Sequence, residues 1–571
     1  MKTSPPSDTR HQPAAHAPQP ARGRSVPVLY GGVTVALLVA VVGLALSSPP
    51  PRTPPLAAVN PQVDEQVEVE RVEQSSQFGE GAGGEGDCAP GDEGCVAAGT
   101  APNETVQGQP APRTTSAPAA FRPCVTGPGG PRQTEDPQSP PCMSERFTGD
   151  NGGATVPGVT ATEIRIAVPY LMTHTDDEQA LFAHFNERYE FHGRRLVLDP
   201  VDTSGFDSSP ESRRALAREI AAREPFAVLG VQGSYEAFHR ALAEAGIVSV
   251  VWPSFTAASE AFLGGLHPHV WAVNPTLEES LGATGALACT ALNGKAARHG
   301  GEDVRERTRR FGLLVQSREG LHFTPGALTN ALDGCGAPHG VYEHDRDAGA
   351  IEVIVRRMRD DGVTTVMCLC FNDAYDEATN AAEAVGYRPE WLHPGLDDGD
   401  IGSEAPREQR GHTFGLTPKL RRITFFGGNR AQYQEQYWYH ALKEASPQVE
   451  PETSHFYTVY SQLLLLASGI QWAGPELTPR AFGAALVSLR YPNPGVGAAP
   501  WFQPAAGFGP GDHALNSDFA LFWWRNEAAE VERSPGAKGQ LCYVGNGRRF
   551  TAATMPRDAD DLVFNPEAGC R

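Results

Sequence analysis

"FAVLGVQGSYEAFHRALAEAGIVSVVWP", residues 226–253, contains a whole folding unit. The apolar run FAVLGV is too short for a helix and reads as a buried strand. Gln232-Gly233 makes a turn, and Ser234 opens a helix, SYEAFHRALAEAG, with apolar residues at helical spacing. IVSVVWP supplies a second apolar strand. Short strands without polar alternation, joined through a helix, sit side by side in a parallel sheet covered on both faces. Upstream, the same alternation runs through the strand IRIAV, a helix carrying Leu181, Phe182 and Phe185, the strand RRLVLDPVD and the helix PESRRALAREIAARE. Downstream, it restarts after HVWAVNP. A helix from Thr276, the strand FGLLVQS and a helix through Ala331 lead to GVYEH, AGAIEVIVRRMRDDG, TTVMCLC, DAYDEATNAAEAVG and PEWLHPG. Two successive α/β units of similar size predict two lobes. A long helix, SHFYTVYSQLLLLASGIQWAG, follows with Phe456, Val459, Tyr460, Leu463 and Leu464 on one apolar face.

Before Gly149 the composition is different. Residues 26–46 form a charge-free apolar run of 21 residues with Arg22 and Arg24 just upstream. Roughly 20 apolar residues cross a bilayer, and basic flanks stay on the cytoplasmic side. This length favours a retained signal anchor at 26–47, with 1–25 as a cytoplasmic tail; the alternative is a cleavable signal peptide ending near Ala45-Leu46-Ser47. From 48 to 148, segments such as SSPPPRTPP and PGGPRQTEDPQSPP lack hydrophobic periodicity and read as a disordered spacer. The folded domain is therefore expected at 149–550, outside the cytoplasm, with 551–571 as a tail.

The net charge of −21 repels phosphate backbones, and RTRR at 307–310 is too short for a nucleic-acid stripe. Ten cysteines without a CxxC pair point to disulfides in an exported chain. Cys88 and Cys95 are expected to close one small loop, and Cys124 and Cys142 another. Cys289 and Cys335 lie on successive helices and are expected to pair, as are Cys542 and Cys570 in the C-terminal part. Cys368 and Cys370 alternate along one strand, too far apart to bond readily, and are expected free or paired elsewhere.

"GVTATEIRIAV", "FAVLGVQGSYEAFHRALAEAGIVSVVWP", the second-lobe strand–helix pairs and "FYTVYSQLLLLASGI" resemble the type I periplasmic (extracytoplasmic) solute-binding proteins. These are the leucine/isoleucine/valine-binding-like receptors of ABC transporters. The resemblance spans about Gly149 to Phe550. It implies an α/β fold of two Rossmann-like lobes that close on a small polar solute, with an ABC permease as partner. The membrane-anchored start leaves a second role open, that of an anchored sensor or interaction module.

Open parallel sheets bind ligands beyond their strands' carboxyl ends, where helix N-termini present free N–H groups. Ser234 would donate there to a ligand carboxylate, cap its own helix, or do both. The resemblance places Ser254 and Thr256 at the ligand's polar head. In the second lobe, Glu319 and His322, then Phe371, Asn372 and Asp373, mark strand-to-helix junctions. An acid after the last strand, Asp397 or Asp398, would pair with an ammonium as in amino-acid binders. Trp252, Phe255 and Phe371 would line an apolar wall. No catalytic pattern competes. GVQGSYE is not a nucleophile elbow, ALNGKAA lacks the hydroxyl residue of a phosphate loop, and no HExxH occurs. His267-Pro268-His269 lacks a clear third metal ligand. The expectation is a binding protein without cofactor or metal.

Overall fold

The computed structural model describes residues 124–127 and 130–567, apart from 171–174, 208, 231–235, 252–257, 319–320, 346–347, 371, 397–404, 419–435, 449–454, 492–504, 510 and 531–537. All described residues belong to one unit, Ala111–Arg571. A hairpin of β1 (Val125–Gly127) and β2 (Gly130–Arg132) opens it. Lobe 1 then runs β3 (Glu163–Tyr170), α1 (Thr175–Arg188), β4 (Arg195–Asp202), α2 (Pro210–Ala222), β5 (Ala227–Val228), α3 (Glu236–Glu244), β6 (Val248–Val251), α4 (Glu260–Gly265) and β7 (Val270–Ala272). Its sheet is parallel, in the order β4-β3-β5-β6-β7.

Alternation along β3 explains the layers. Ile164, Ile166 and Val168 face one apolar cluster, and Ala167 faces another, with Leu216, Ile220, Phe238 and Leu242 of α2 and α3. Helices start where the sequence allows. Ser209 accepts from Ser212 N–H ahead of Pro210, and Thr276 and Glu279 form a reciprocal capping box.

Lobe 2 contains α5 (Leu277–Leu287), β8 (Phe311–Arg318), β9 (Leu321–His322), α6 (Gly326–Gly334), β10 (His339–Asp345), α7 (Ala348–Asp360), β11 (Thr365–Leu369), α8 (Asn372–Ala384), β12 (Glu390–Pro394), α9 (Arg407–Arg410) and β13 (Thr413–Thr417). The chain returns to lobe 1 with α10 (Tyr437–Ala445), α11 (His455–Ala473) and α12 (Pro479–Ser488), whose buried residues join the cluster under β3. It ends in lobe 2 with β14 (Phe519–Glu530), β15 (Lys538–Tyr543), β16 (Arg549–Phe550) and α13 (Ala559–Leu562). The lobe 2 sheet runs β10-β8-β11-β12-β13-β14-β15, parallel from β10 to β13; β14 and β15 add antiparallel strands.

Packing extends beyond 149–550 at both ends. Arg132, Gln133, Thr134, Asp136 and Ser139 are buried within the stretch read as spacer. Tyr460 hydroxyl donates to Asp136 at 2.9 Å, Gln471 Nε2 donates to Gln133 Oε1 at 3.1 Å, and Arg132 reaches Arg490 C=O at 3.3 Å. The segment shows no periodicity because it docks as a turning, disulfide-closed loop held by polar side chains. At the other end Met555, Ala559 and Val563 enter the lobe 2 core. Arg309, fully buried, pairs there with Glu390 at 2.7 Å and Asp560 at 2.6 Å.

Cys124–Cys142 and Cys289–Cys335 are bonded. Cys542 is disulfide-bonded too, while Cys570, like Cys88 and Cys95, lies outside the described residues. The expectation for Cys368 and Cys370 is corrected: they bond to each other. Cys370 stands at a bend just past the end of β11, and its Cα lies 5.1 Å from that of Cys368, closer than extended geometry allows. Among the described residues no helix is long and apolar enough to cross a membrane, and 26–47 lies outside them.

Candidate functional cleft

In lobe 1, β3 pairs with β4 on one side and β5 on the other. The chain therefore turns outward after β3 and returns on the opposite side at β5. This reversal opens a crevice at the carboxyl ends of the two strands. Lobe 2 repeats the arrangement, with β8 between β10 and β11. The segment crossing between lobes leaves the carboxyl end of β7 and enters α5. There Ser280 Oγ donates to Gly395 C=O at 3.2 Å and Thr284 Oγ1 to Pro394 C=O at 3.0 Å, at the carboxyl end of β12. The carboxyl ends of β7 and β12 thus both lie on the crossing side, where a cleft between the lobes would open.

On the lobe 1 side, Leu229 N–H still donates to Ala167 C=O, but Gly230 leaves the sheet. Its φ of +78° favours glycine, and an added Cβ would stand 3.2 Å from Val168 Cγ1. Gln462 of α11 meets this strand end: its Oε1 accepts from Gly230 N–H at 2.9 Å, and its Nε2 donates to Val250 C=O at 2.8 Å. The lobe 2 side carries the Cys368–Cys370 disulfide at the end of β11. β9 folds back on β8 so that His322 stands opposite Ser317. Asn372, which opens α8, follows two residues after Cys370. His322 and Asn372 thus follow neighbouring strands, β8 and β11, near their carboxyl ends. Ser234, Ser254, Thr256, Phe371, Asp397 and Asp398 lie outside the described residues.

One row below the margin, His393 is buried between Tyr375 and Phe522, with ring centroids at 4.8 and 5.8 Å. Burial pushes its pKa down to about 3, so the ring is neutral, and its Nε2 has no hydrogen-bond partner among the described residues. Two crossing segments run together. Ala272 N–H donates to His513 C=O, and Leu515 and Asn516 N–H donate back to Ala272 and Val273 C=O, all at 2.8–3.0 Å. Charge gathers beside them: His513 pairs with Glu260, and Glu260 N–H donates to Glu278 Oε2 at 3.0 Å. Burial raises the Glu279 carboxyl to about 7 against the opposing hydrogen bonds from Thr276, and Asp512 and Glu260 add to the rise. Among the described residues no cluster of three or more His, Cys, Asp or Glu is placed to hold a metal.

Gln462 and the Cys368–Cys370 bond were missed as parts of the cleft. Each left a signal: a lone carboxamide in the apolar run VYSQLLLL, and a CxC at the end of a strand.

A sequence comparison finds no matching curated protein. A substrate-binding protein of an ABC transporter from Aeropyrum pernix superposes with a TM-score of 0.50 at 15% identity, over 70% of this chain and 98% of that one. A leucine-, isoleucine-, valine-, threonine- and alanine-binding protein from Brucella ovis gives 0.48 at 12%, over 70% and 98%. A fatty acid ABC transporter substrate-binding protein from Thermomonospora curvata gives 0.47 at 13%, over 72% and 99%. At these identities likeness speaks to fold alone, and only the first reaches the level at which it does so. The periplasmic binding protein family model matches residues 176–529, from α1 into β14 and so through parts of both sheets. With that span matched, the chain belongs to the periplasmic binding protein family, whose members bind solutes outside the cytoplasm and are not enzymes.

Proposed function

We propose that the cleft holds a small polar solute bearing a carboxylate, an amino acid or related zwitterion, and that the protein serves an ABC importer from a membrane anchor at 26–47. The observation that carries this reading is the pair of strand-order reversals at β3/β5 and β8/β11. In this reading Ser234, just ahead of α3, donates to the carboxylate with the helix's free N–H groups. Ser254 and Thr256, following β6, hold the polar head. Asp397 or Asp398, following β12, takes the ammonium. His322, Asn372 and Phe371 complete the lobe 2 wall.

Native mass spectrometry of the full chain is expected to show a co-purified small molecule. A thermal-shift screen of amino acids, organic acids and sugars then identifies its class. Ser234→Ala is expected to weaken the best binder by about 1–2 kcal/mol, because one charge-assisted hydrogen bond is lost while the backbone donors remain. A neutral sugar as the only binder, or a variant that binds as tightly as the parent, would overturn the anion-binding argument.

A further inference from the structure

Strands β5 and β6 pair through Ala227↔Val248 and Val228↔Ser249, and Val248 N–H donates to Phe226 C=O at 3.0 Å. One more rung of this parallel ladder would join Gly230 N–H to Val250 C=O. Both groups instead bond the carboxamide of Gln462, one to its oxygen and the other to its nitrogen. A carboxamide carries an acceptor and a donor in one plane, the pair that a peptide group presents. Gln462 is fully buried. It arrives from α11, outside the β–α units that build the sheet, and it stands where the strand order reverses.

We infer that Gln462 is a positioning residue for the solute cleft: its carboxamide replaces a ladder rung and holds the ends of β5 and β6 apart where the chain departs toward the ligand. The inference rests on reading this cleft as the solute site. Without the carboxamide, Gly230 N–H and Val250 C=O are left unpaired in the interior. The strand ends then fray, which moves the points at which the chain leaves β5 and β6.

The test compares the full-length parent with Gln462→Met, which keeps the apolar bulk and removes both polar atoms. Ile470→Ala is the control, a buried residue two turns along the same helix that loses core contacts and carries no polar atom to bond the strand ends. Hydrogen exchange of peptides covering 226–230 and 248–251 is expected to quicken by about tenfold in Gln462→Met, with one strong hydrogen bond lost, and to stay at the parent rate in Ile470→Ala. Affinity is measured for each standard L-amino acid that stabilises the parent. It should fall by about tenfold in Gln462→Met and by less than about twofold in Ile470→Ala, whatever melting temperature the control loses. Unchanged exchange at the strand ends overturns the inference, as does a loss of affinity that follows melting temperature equally in both variants. If no L-amino acid stabilises the parent, the amino-acid reading of the cleft fails, and the exchange contrast alone decides the role of Gln462.

Discussion

Asp136 is a carboxyl group placed among hydroxyls. Burial raises its pKa to about 6, although Gln138 N–H and the Tyr460 hydroxyl both donate to it and oppose the rise. The folded chain therefore holds a proton there that the unfolded chain releases, and stability falls as pH climbs from about 4 to about 6 and stays reduced above. A rise of about two units corresponds to roughly 3 kcal/mol. Asp136→Asn keeps an acceptor for Tyr460 and carries no charge. It is expected to melt higher than the parent at neutral pH, with the difference vanishing near pH 4; parallel pH profiles would refute this. Arg309 is the opposite case, a buried cation neutralised by two carboxylates. Burial alone would raise the Asp560 pKa, but the His299 hydrogen bond and Arg309 bring it down to about 2, so that contribution is lost only as pH falls toward that value. Arg309→Met leaves Glu390 buried without its cation and Asp560 with only Arg298 and His299. It should cost about 3–5 kcal/mol by urea unfolding, and a loss under about 1 kcal/mol would show the pair to be dispensable. Neither residue announced its role in sequence. Asp136 sits in TEDPQSPP, where acids and prolines usually mean solvent, and Arg309 sits in a basic run. Their surroundings are set by segments far away in the chain.

At the scale of elements, what could be read was periodicity. FAVLGV, IVSVVWP and the helix between them form β5, β6 and α3 because apolar spacing depends on a few neighbours. The loop from Arg132 to Cys142 has no such spacing; it docks by Gln133, Asp136 and Arg132 onto α11 and the chain after α12. Side chains that satisfy distant helices carry no local pattern. A chain beginning at Gly149 therefore removes more than a spacer. It exposes Tyr460 and Gln471 and should melt below a chain beginning at Phe121, by about 1 °C per kcal/mol lost for a domain of this size. Equal melting temperatures would return the loop to the spacer. The bond between Cys368 and Cys370 was hidden for another reason: strand geometry forbids it, and only the bend after Leu369 permits it.

For the whole molecule, two lobes and their parallel sheets were legible, because doubly wound chains obey a handedness and a strand-order rule. The proposed cleft could be placed only by that strand-order rule. Its supports come from α11, which follows lobe 2 in the chain and yet completes lobe 1. The loop closed by Cys124–Cys142 fastens to that same lobe, through Arg188 of α1 and Tyr460 and Gln471 of α11. Everything upstream of Cys124 consequently pulls on lobe 1. A mechanical load arriving from the N-terminal side would pass through the loop into α1 and α11, and through Gln138, which donates to Asn516 Oδ1 at 3.5 Å, into one crossing segment as well. Lobe 1, rather than lobe 2, would take that load first.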